Sequence, residues 1–199
     1  MSDLRTLLDR FPVSMAVLVA WLGLAAITGA IHADPKLLIE YGAECGIEIA
    51  AGEVHRLFTA SFLHGGLLHL GFNTMSMLQL GPWTEGAFGS ARFAAIYVVG
   101  ALGSSAVSSL ESGPDGFSVG GSGALFAMSG ALVAHYARQG GTPSGHSSLT
   151  FARQLLLYSL GNMLLAALIP YVNNSAHAGG FATADARHRS ANLSVCAAL

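Results

Sequence analysis

Charge is what this 199-residue chain has least of: Asp, Glu, Lys and Arg together make up 10% of it, where a soluble domain carries roughly 25%. With 52% hydrophobic residues, a water-soluble monomer of this size could not cover its own surface. Low-complexity disorder is excluded as well, because it needs low hydrophobicity and high charge. A basic excess is missing too: nine Lys and Arg stand against eleven Asp and Glu, so no nucleic-acid partner is expected. Cysteine is almost absent, and Cys45 and Cys196 alone build no disulfide framework. His, Cys and carboxylates nowhere cluster at metal-ligand spacing, and neither a metal nor another cofactor is expected. What the chain has instead is 25 glycines and a set of long uncharged runs.

Residues 11–31, 57–84, 93–110, 116–137 and 154–172 contain no Asp, Glu, Lys or Arg. Each is about the 17–25 residues that cross a bilayer as a helix, and helix is required because an isolated strand leaves backbone polar groups unpaired in lipid. Arg5 and Arg10 before the first run also suit a signal peptide, but its apolar core is long and lacks a small-x-small cleavage site. The expectation is an all-α polytopic membrane bundle in one membrane domain over 1–199. Residues 1–10 form its N-terminal segment, about 11–184 the bundle, and 185–199 an atypical polar tail.

Orientation follows from the basic residues. With the N-terminus cytoplasmic, the inner side holds Arg5, Arg10, Arg92, Arg138, Arg153, Arg187 and Arg189, and the outer side only Lys36 and Arg56. This asymmetry is the positive-inside pattern. The expected outer loop is about 32–56, and short inner connections are expected at 85–92 and 138–153. Cys45 and Cys196 then lie on opposite sides and cannot pair within one chain.

Polar residues inside the runs are the informative ones, because burying them in lipid is costly. In FLHGGLLHLGFNTM, His69 and Asn73 are four apart and share one helix face; His64 is expected to project elsewhere, nearer the outer surface. Taken alone, the pair could be interhelical hydrogen-bond glue. In SVGGSGALFAMSGAL, Ser122 stands among Gly120, Gly121 and Gly123 where a loop enters a helix. Helix N-terminal amides there could stabilise an oxyanion, or Gly123, Ser129 and Gly130 could simply form a small-residue packing seam. In PYVNNSAHAGGFATA, His177 precedes Gly179 and Gly180. Ser122 and His177 both fall early in segments entering from the outer face, at similar depth. With His69 and Asn73 converging on that depth, the pattern is that of a hydrolytic site.

The stretches HRLFTASFLHGGLLHLGFN, GPWTEGAFGSARFAAIYVVG, GGSGALFAMSGAL and NNSAHAGGF together resemble the rhomboid family of intramembrane serine proteases, over roughly residues 53–183. The resemblance implies Ser122 as nucleophile and His177 as general base. It assigns His69 and Asn73, with the Ser122 backbone N–H, to an oxyanion hole. Phe126 matches an aromatic position packed on the catalytic histidine, and Glu85 and Arg56 match structural positions. The implied activity is a serine endopeptidase that cuts transmembrane segments of membrane-protein substrates within the lipid bilayer. The implied setting is a multi-pass protein, expected in a bacterial inner membrane.

The chain departs from the family pattern at His55-Arg56, where an aromatic–Arg pair is usual, and at Ala184, where glycine is usual. After Gly180 it reads FATADARHRS, with Asp185, Arg187, His188 and Arg189 close to His177. From Asn173 to Ala186 is fourteen residues, about 21 Å of helix against roughly 30 Å of hydrocarbon. The expectation is therefore five full spans plus a sixth that is short or truncated, ending near Asp185. The rival reading is a catalytically weak or inactive rhomboid-like protein that binds transmembrane helices; retention of Ser122 and His177 argues for the enzyme. A transporter or channel would line its pathway with charge, which these runs lack.

Overall fold

Backbone satisfied within each segment is what lipid demands, and among the described residues most of each uncharged run is helical. The computed structural model describes residues 2–29, 34–113, 116–138, 148–166 and 174–183. Its helices are α1 (Ser2–Arg10), α2 (Pro12–Ile27), α3 (Pro35–Glu40), α4 (Gly46–Ala50), α5 (Arg56–Thr59), α6 (Leu67–Phe88), α7 (Ser90–Ser112), α8 (Ser122–Arg138) and α9 (Ser148–Ala166). A further helix, α10, covers residues 174–183. Two short strands, β1 (Glu44–Cys45) and β2 (Phe117–Ser118), pair antiparallel with Glu44 opposite Ser118.

The expected all-α bundle is what forms, with α8 at its centre. From Gly123 to Leu132 every residue of α8 is buried, as in a helix enclosed on all sides. Around it, Trp21, Met77, Phe93, Met128 and Leu132 join α2, α6, α7 and α8 in one core. Outward, Leu68, Phe72 and Met75 of α6, Leu110 of α7 and Leu157 and Leu164 of α9 are exposed. An apolar outer surface of this extent marks contact with lipid. Among the described residues, Ser90–Ser112 is the one helix long and apolar enough to cross a membrane by length and composition, and Pro12–Ile27 is apolar but shorter.

Lipid gives helices no hydrophobic reason to associate, so close packing of small residues does that work. Gly100 of α7 lies against Ala127 and Ala124 of α8, and Gly123 lies against Ser104 of α7; a Cβ on either glycine would overlap its neighbour. On the opposite side, the Ser129 and Ser159 hydroxyls meet at 2.5 Å, and Ser159 donates onward to the Leu155 carbonyl at 2.9 Å. The small-residue seam expected as an alternative for α8 is therefore present.

Two boundaries differ from expectation. The second uncharged run is not one continuous helix from 57: its first residues fold as the short α5 and a 3₁₀ turn, Ala60–Phe62. Leu63 is extended, and Gly66, at φ 136°, caps α6 from a conformation that favours glycine. The inner connection expected at 85–92 shrinks to Gly89, at φ 79°, between α6 and α7. The outer loop is held by Arg56, which donates to the Ile39 and Ala43 carbonyls and pairs with Glu53 at 2.7 Å. Ala184, Asp185, Arg187, His188, Arg189 and the expected end of the sixth span lie outside the described residues.

Glu85 gathers the end of α6 and the starts of α2 and α7. Its carboxylate accepts the Val13 N–H at 3.1 Å, the Ser14 N–H at 2.8 Å and hydroxyls of Ser14 and Ser90 at 2.7 and 2.6 Å. The N-cap of α2 is Phe11, which supplies no capping side chain, so Glu85 caps that helix from α6. Negative charge beside the N-termini of α2 and α7 is also favourable to their dipoles. Glu85→Ala leaves buried donors unpaired and is expected to cost about 3 kcal/mol, read as a lowered unfolding midpoint in detergent; an unchanged midpoint would remove this role.

Glu44, in β1, is buried against α7, where Ser109 donates to it at 3.1 Å. Burial raises its carboxyl above the ordinary 4.5, and hydrogen bonds from Ser108, Ser105 and Ser109 offset only part of this. A folded-state value above the unfolded one stabilises the protonated form. That contribution is full below 4.5 and is lost as pH rises through the raised value. Glu44→Gln is expected to flatten this fall, measured as unfolding midpoint against pH; an equally steep fall in the variant would exclude Glu44 as its source.

Candidate active site

The loop ahead of α8 is fixed before the helix begins. Gly120, at φ 127°, turns the chain sharply, and its N–H donates to the Ala60 carbonyl at 2.9 Å. Gly121 lies directly under the Trp21 indole, which leaves no room for a Cβ. Trp21 is itself tied by its N–H to the Tyr97 hydroxyl at 3.1 Å, which donates to the Ser61 carbonyl at 3.2 Å. Ser122 then opens α8, among the amides that a helix start leaves unpaired.

His177, on α10, meets it. Ser122 Oγ and His177 Nε2 are 2.9 Å apart, and His177 Nδ1 is 3.2 Å from Asn174 Oδ1. The Asn174 amide is oriented by its Nδ2, which donates to the Met163 carbonyl at 3.0 Å. Its oxygen therefore faces His177 and can only accept, so the proton of neutral His177 belongs on Nδ1. Nε2 is left with a lone pair toward the serine hydroxyl. The Phe126 ring stacks on the imidazole at 4.5 Å between centroids and 27° between planes.

The approach of α10 to α8 depends on glycine. A Cβ on Gly180 would overlap the backbone of Gly123, and one on Gly130 would overlap the Phe181 backbone. On the α7 side, Gly103 lies against Thr183 and Gly179 against Val107.

His69 and Asn73 reach the same place from α6. A Cβ on Gly120 would sit 2.6 Å from His69 Cε1, 2.7 Å from its Nε2 and 3.6 Å from Asn73 Nδ2. The Gly65 N–H points at His69 Nδ1 at 3.3 Å, which leaves Nε2 as the protonated nitrogen. Asn73 Nδ2 is buried with no hydrogen-bond partner among the described residues. A buried donor without an acceptor is uncommon enough to demand a reason. Here two N–H donors face one spot beside Gly120, two residues from Ser122.

All the residues singled out as a site are thus accounted for: Ser122, His177, His69, Asn73, Gly120, Gly121, Gly123 and Phe126 converge, while Glu85 and Arg56 lie apart and act on helix ends and the outer loop. His64 corrects an expectation. It does not project away, because it precedes α6 rather than belonging to it. Its ring lies 5.2 Å from His69 and 5.1 Å from Trp21, edge-on to both and fully buried. Asn174 was missed, although its place one helical turn before His177 is a signal that could have found it; nothing in the sequence marks Trp21 or Tyr97 as neighbours of the site. Among the described residues, no group of three His, Cys, Asp or Glu is placed to hold a metal ion.

An all-helical membrane bundle with a serine–histidine hydrogen bond at one end defines the class of protein. A family model for the rhomboid domain matches residues 51–185, and the chain belongs to the rhomboid family, which makes it an integral membrane protein. RHOMBOID-like protein 5 of Arabidopsis thaliana is 39% identical over 134 residues, covering 67% of this chain and 42% of that protein. RHOMBOID-like protein 6, mitochondrial, of the same organism is 33% identical over 135 residues, covering 68% of this chain and 43% of its own length. Rhomboid protease GluP of Bacillus subtilis is 31% identical over 156 residues, 74% of this chain and 28% of its own. The matched stretch spans less than half of each of these relatives.

The glycine contacts give a direct test of the α8–α10 seam. Gly180→Ala forces the two backbones apart and is expected to destabilise the protein by about 1–3 kcal/mol. Gly71→Ala, on α6 with nothing within 4 Å, is expected to change little. Equal unfolding midpoints for the two variants would show that the seam is not tight.

Proposed function

We propose that the chain is an intramembrane serine endopeptidase, with Ser122 as nucleophile and His177 as general base. The observation that carries this reading is the 2.9 Å contact between Ser122 Oγ and His177 Nε2, on a histidine whose Nδ1 is held by Asn174. Ser122 attacks a peptide carbonyl as its proton passes to His177 Nε2. The positive charge on the imidazolium is shared with the Asn174 oxygen through Nδ1–H. The tetrahedral oxyanion is held by His69 Nε2–H, Asn73 Nδ2–H and the Ser122 backbone N–H. His177 then returns the proton to the leaving amine, and water hydrolyses the acyl-enzyme by the same steps.

The substrate in this reading is a transmembrane protein. A helix hides its carbonyls in internal hydrogen bonds, so cleavage falls where the substrate unwinds near the outer face. The N-terminus is cytoplasmic, residues 11–184 make up a single bundle, and a bacterial inner membrane is the setting. The presence of both Ser122 and His177, in hydrogen-bond contact, favours this reading over a rhomboid-like protein that binds transmembrane helices without cutting them.

In detergent, a fluorophosphonate is expected to label the protein, and Ser122→Ala is expected to lose both labelling and cleavage of a transmembrane substrate. His69→Ala and Asn73→Ala are each expected to lower turnover about 10²–10³-fold with smaller effects on substrate binding. Substrate bound but neither labelled nor cut by the wild type would favour the non-catalytic reading.

A further inference from the structure

No step of the reaction uses Trp21 or Tyr97, yet both are enclosed beside it, at 0% and 2% exposure. A side chain that only fills space needs no polar atom, and burying one unpaired is costly. Here each ring carries one, and each is paired. The Tyr97 hydroxyl accepts the Trp21 indole N–H at 3.1 Å and donates to the Ser61 carbonyl at 3.2 Å. The Ser61 hydroxyl, 3.3 Å from the same oxygen, donates to the Phe58 carbonyl at 2.8 Å. One phenol oxygen thus joins α2, α7 and the 3₁₀ turn.

Two routes lead from that oxygen to the reacting groups. The first runs through backbone. Ser61 follows Ala60, whose carbonyl accepts the Gly120 N–H at 2.9 Å, so fixing the turn fixes a residue two before Ser122. Trp21 bears on the same loop, with its ring against Gly121. The second route runs through rings. Trp21 meets His64 edge-on at 5.1 Å, and His64 meets His69 in the same way at 5.2 Å. His69 Nε2 in turn lies beside Gly120. The loop of the nucleophile and one oxyanion donor therefore bear on the same indole. Packing is non-directional; the hydrogen bond to Tyr97 is what gives the indole one position within its own plane.

We propose that Trp21 and Tyr97 are positioning residues for peptide hydrolysis: the hydrogen bond between them holds Gly120 and Gly121, and with them Ser122, in register with the His69 donor. Neither touches the reacting atoms. The role rests on the protease reading. It goes beyond stability of the fold, because the register of donor and nucleophile matters most in the transition state, where the oxyanion must meet groups already in place. Loss of the Tyr97 hydroxyl therefore falls on kcat rather than on KM.

The test uses the full chain in detergent. The chain has two tryptophans, so Trp83→Phe leaves Trp21 as its sole indole. A fluorophosphonate bonds its phosphorus to Ser122 Oγ and releases fluoride. Trp21 emission is expected to shift as that bond forms, and to stay constant when Ser122→Ala is treated in the same way. Tyr97→Phe keeps the ring and removes only the hydroxyl. Its turnover, counted per molecule that reacts with the fluorophosphonate, is expected to fall about tenfold, on the scale of a sub-ångström misplacement, with KM nearly unchanged. Counting per reactive serine removes misfolded protein from the comparison, so a merely structural role would leave this rate as it was. Emission indifferent to the Ser122 adduct, or a per-site kcat equal in Tyr97→Phe and its parent, would overturn the proposal. Should Tyr97→Phe fail to fold, the emission measurement decides alone. A parent protein that the fluorophosphonate does not label removes the protease reading and the positioning role with it, an outcome distinct from a labelled protein whose Trp21 stays silent.

Discussion

The contact on which the rest depends is the backbone approach of α8 and α10 at Gly123 and Gly180. Ser122 precedes the first of these glycines by one residue and His177 precedes the second by three. The distance between the two helices therefore sets the distance between hydroxyl and imidazole. A methyl group on Gly180 has no space to occupy. In lipid, where association rests on packing and hydrogen bonds, this steric closeness is also the source of the helix–helix affinity. Stability of the bundle and geometry of the serine–histidine pair are thus set by the same atoms.

Charge is kept away from that contact. A buried carboxylate behind the histidine would be expensive to desolvate, and Asn174 instead offers a neutral oxygen to Nδ1, itself oriented through Met163. The ionised groups that are buried work at the ends of helices. Glu85 collects donors where α2, α6 and α7 meet, and Arg56 collects carbonyls in the outer loop. Both satisfy several backbone groups at once, the condition under which a buried charge is tolerated. The family resemblance gave Glu85 and Arg56 structural positions, and in the structure both tie helix ends and loop backbone at a distance from Ser122.

The helices were legible where polar residues are rare, because an uncharged run in lipid has few alternatives. They were misread where glycine decides the backbone: Gly66 delays α6 to Leu67, and Gly89 turns α6 into α7 with no loop. The site was legible as well, since serine among glycines, histidine before glycines, and His69 with Asn73 one turn apart each carry a chemical reason for their spacing. The surroundings of the site were not. Trp21 lies 101 residues before Ser122 in the chain and has no pattern linking it to Gly121. His64 was assigned to a helix it does not join, and so to the wrong direction.

One helix ties these observations together. On α6, His69, Asn73, Met77, Gly81 and Glu85 recur every four residues and form one stripe, of which all but His69 are buried. Its N-terminal end carries the two N–H donors beside Gly120; its middle packs Met77 into the core. Its C-terminal end brings Gly81 against Ser14 and Glu85 onto the start of α2. Donors that stabilise a developing charge must be placed beforehand, since reorganisation during the reaction would forfeit their benefit. A helix anchored by a carboxylate at one end and fixed by a glycine turn at the other meets that demand. Gln79 and Trp83 leave this stripe for the side facing α9, so the face that holds α6 against α2 and α8 is separate from the face it turns toward α9.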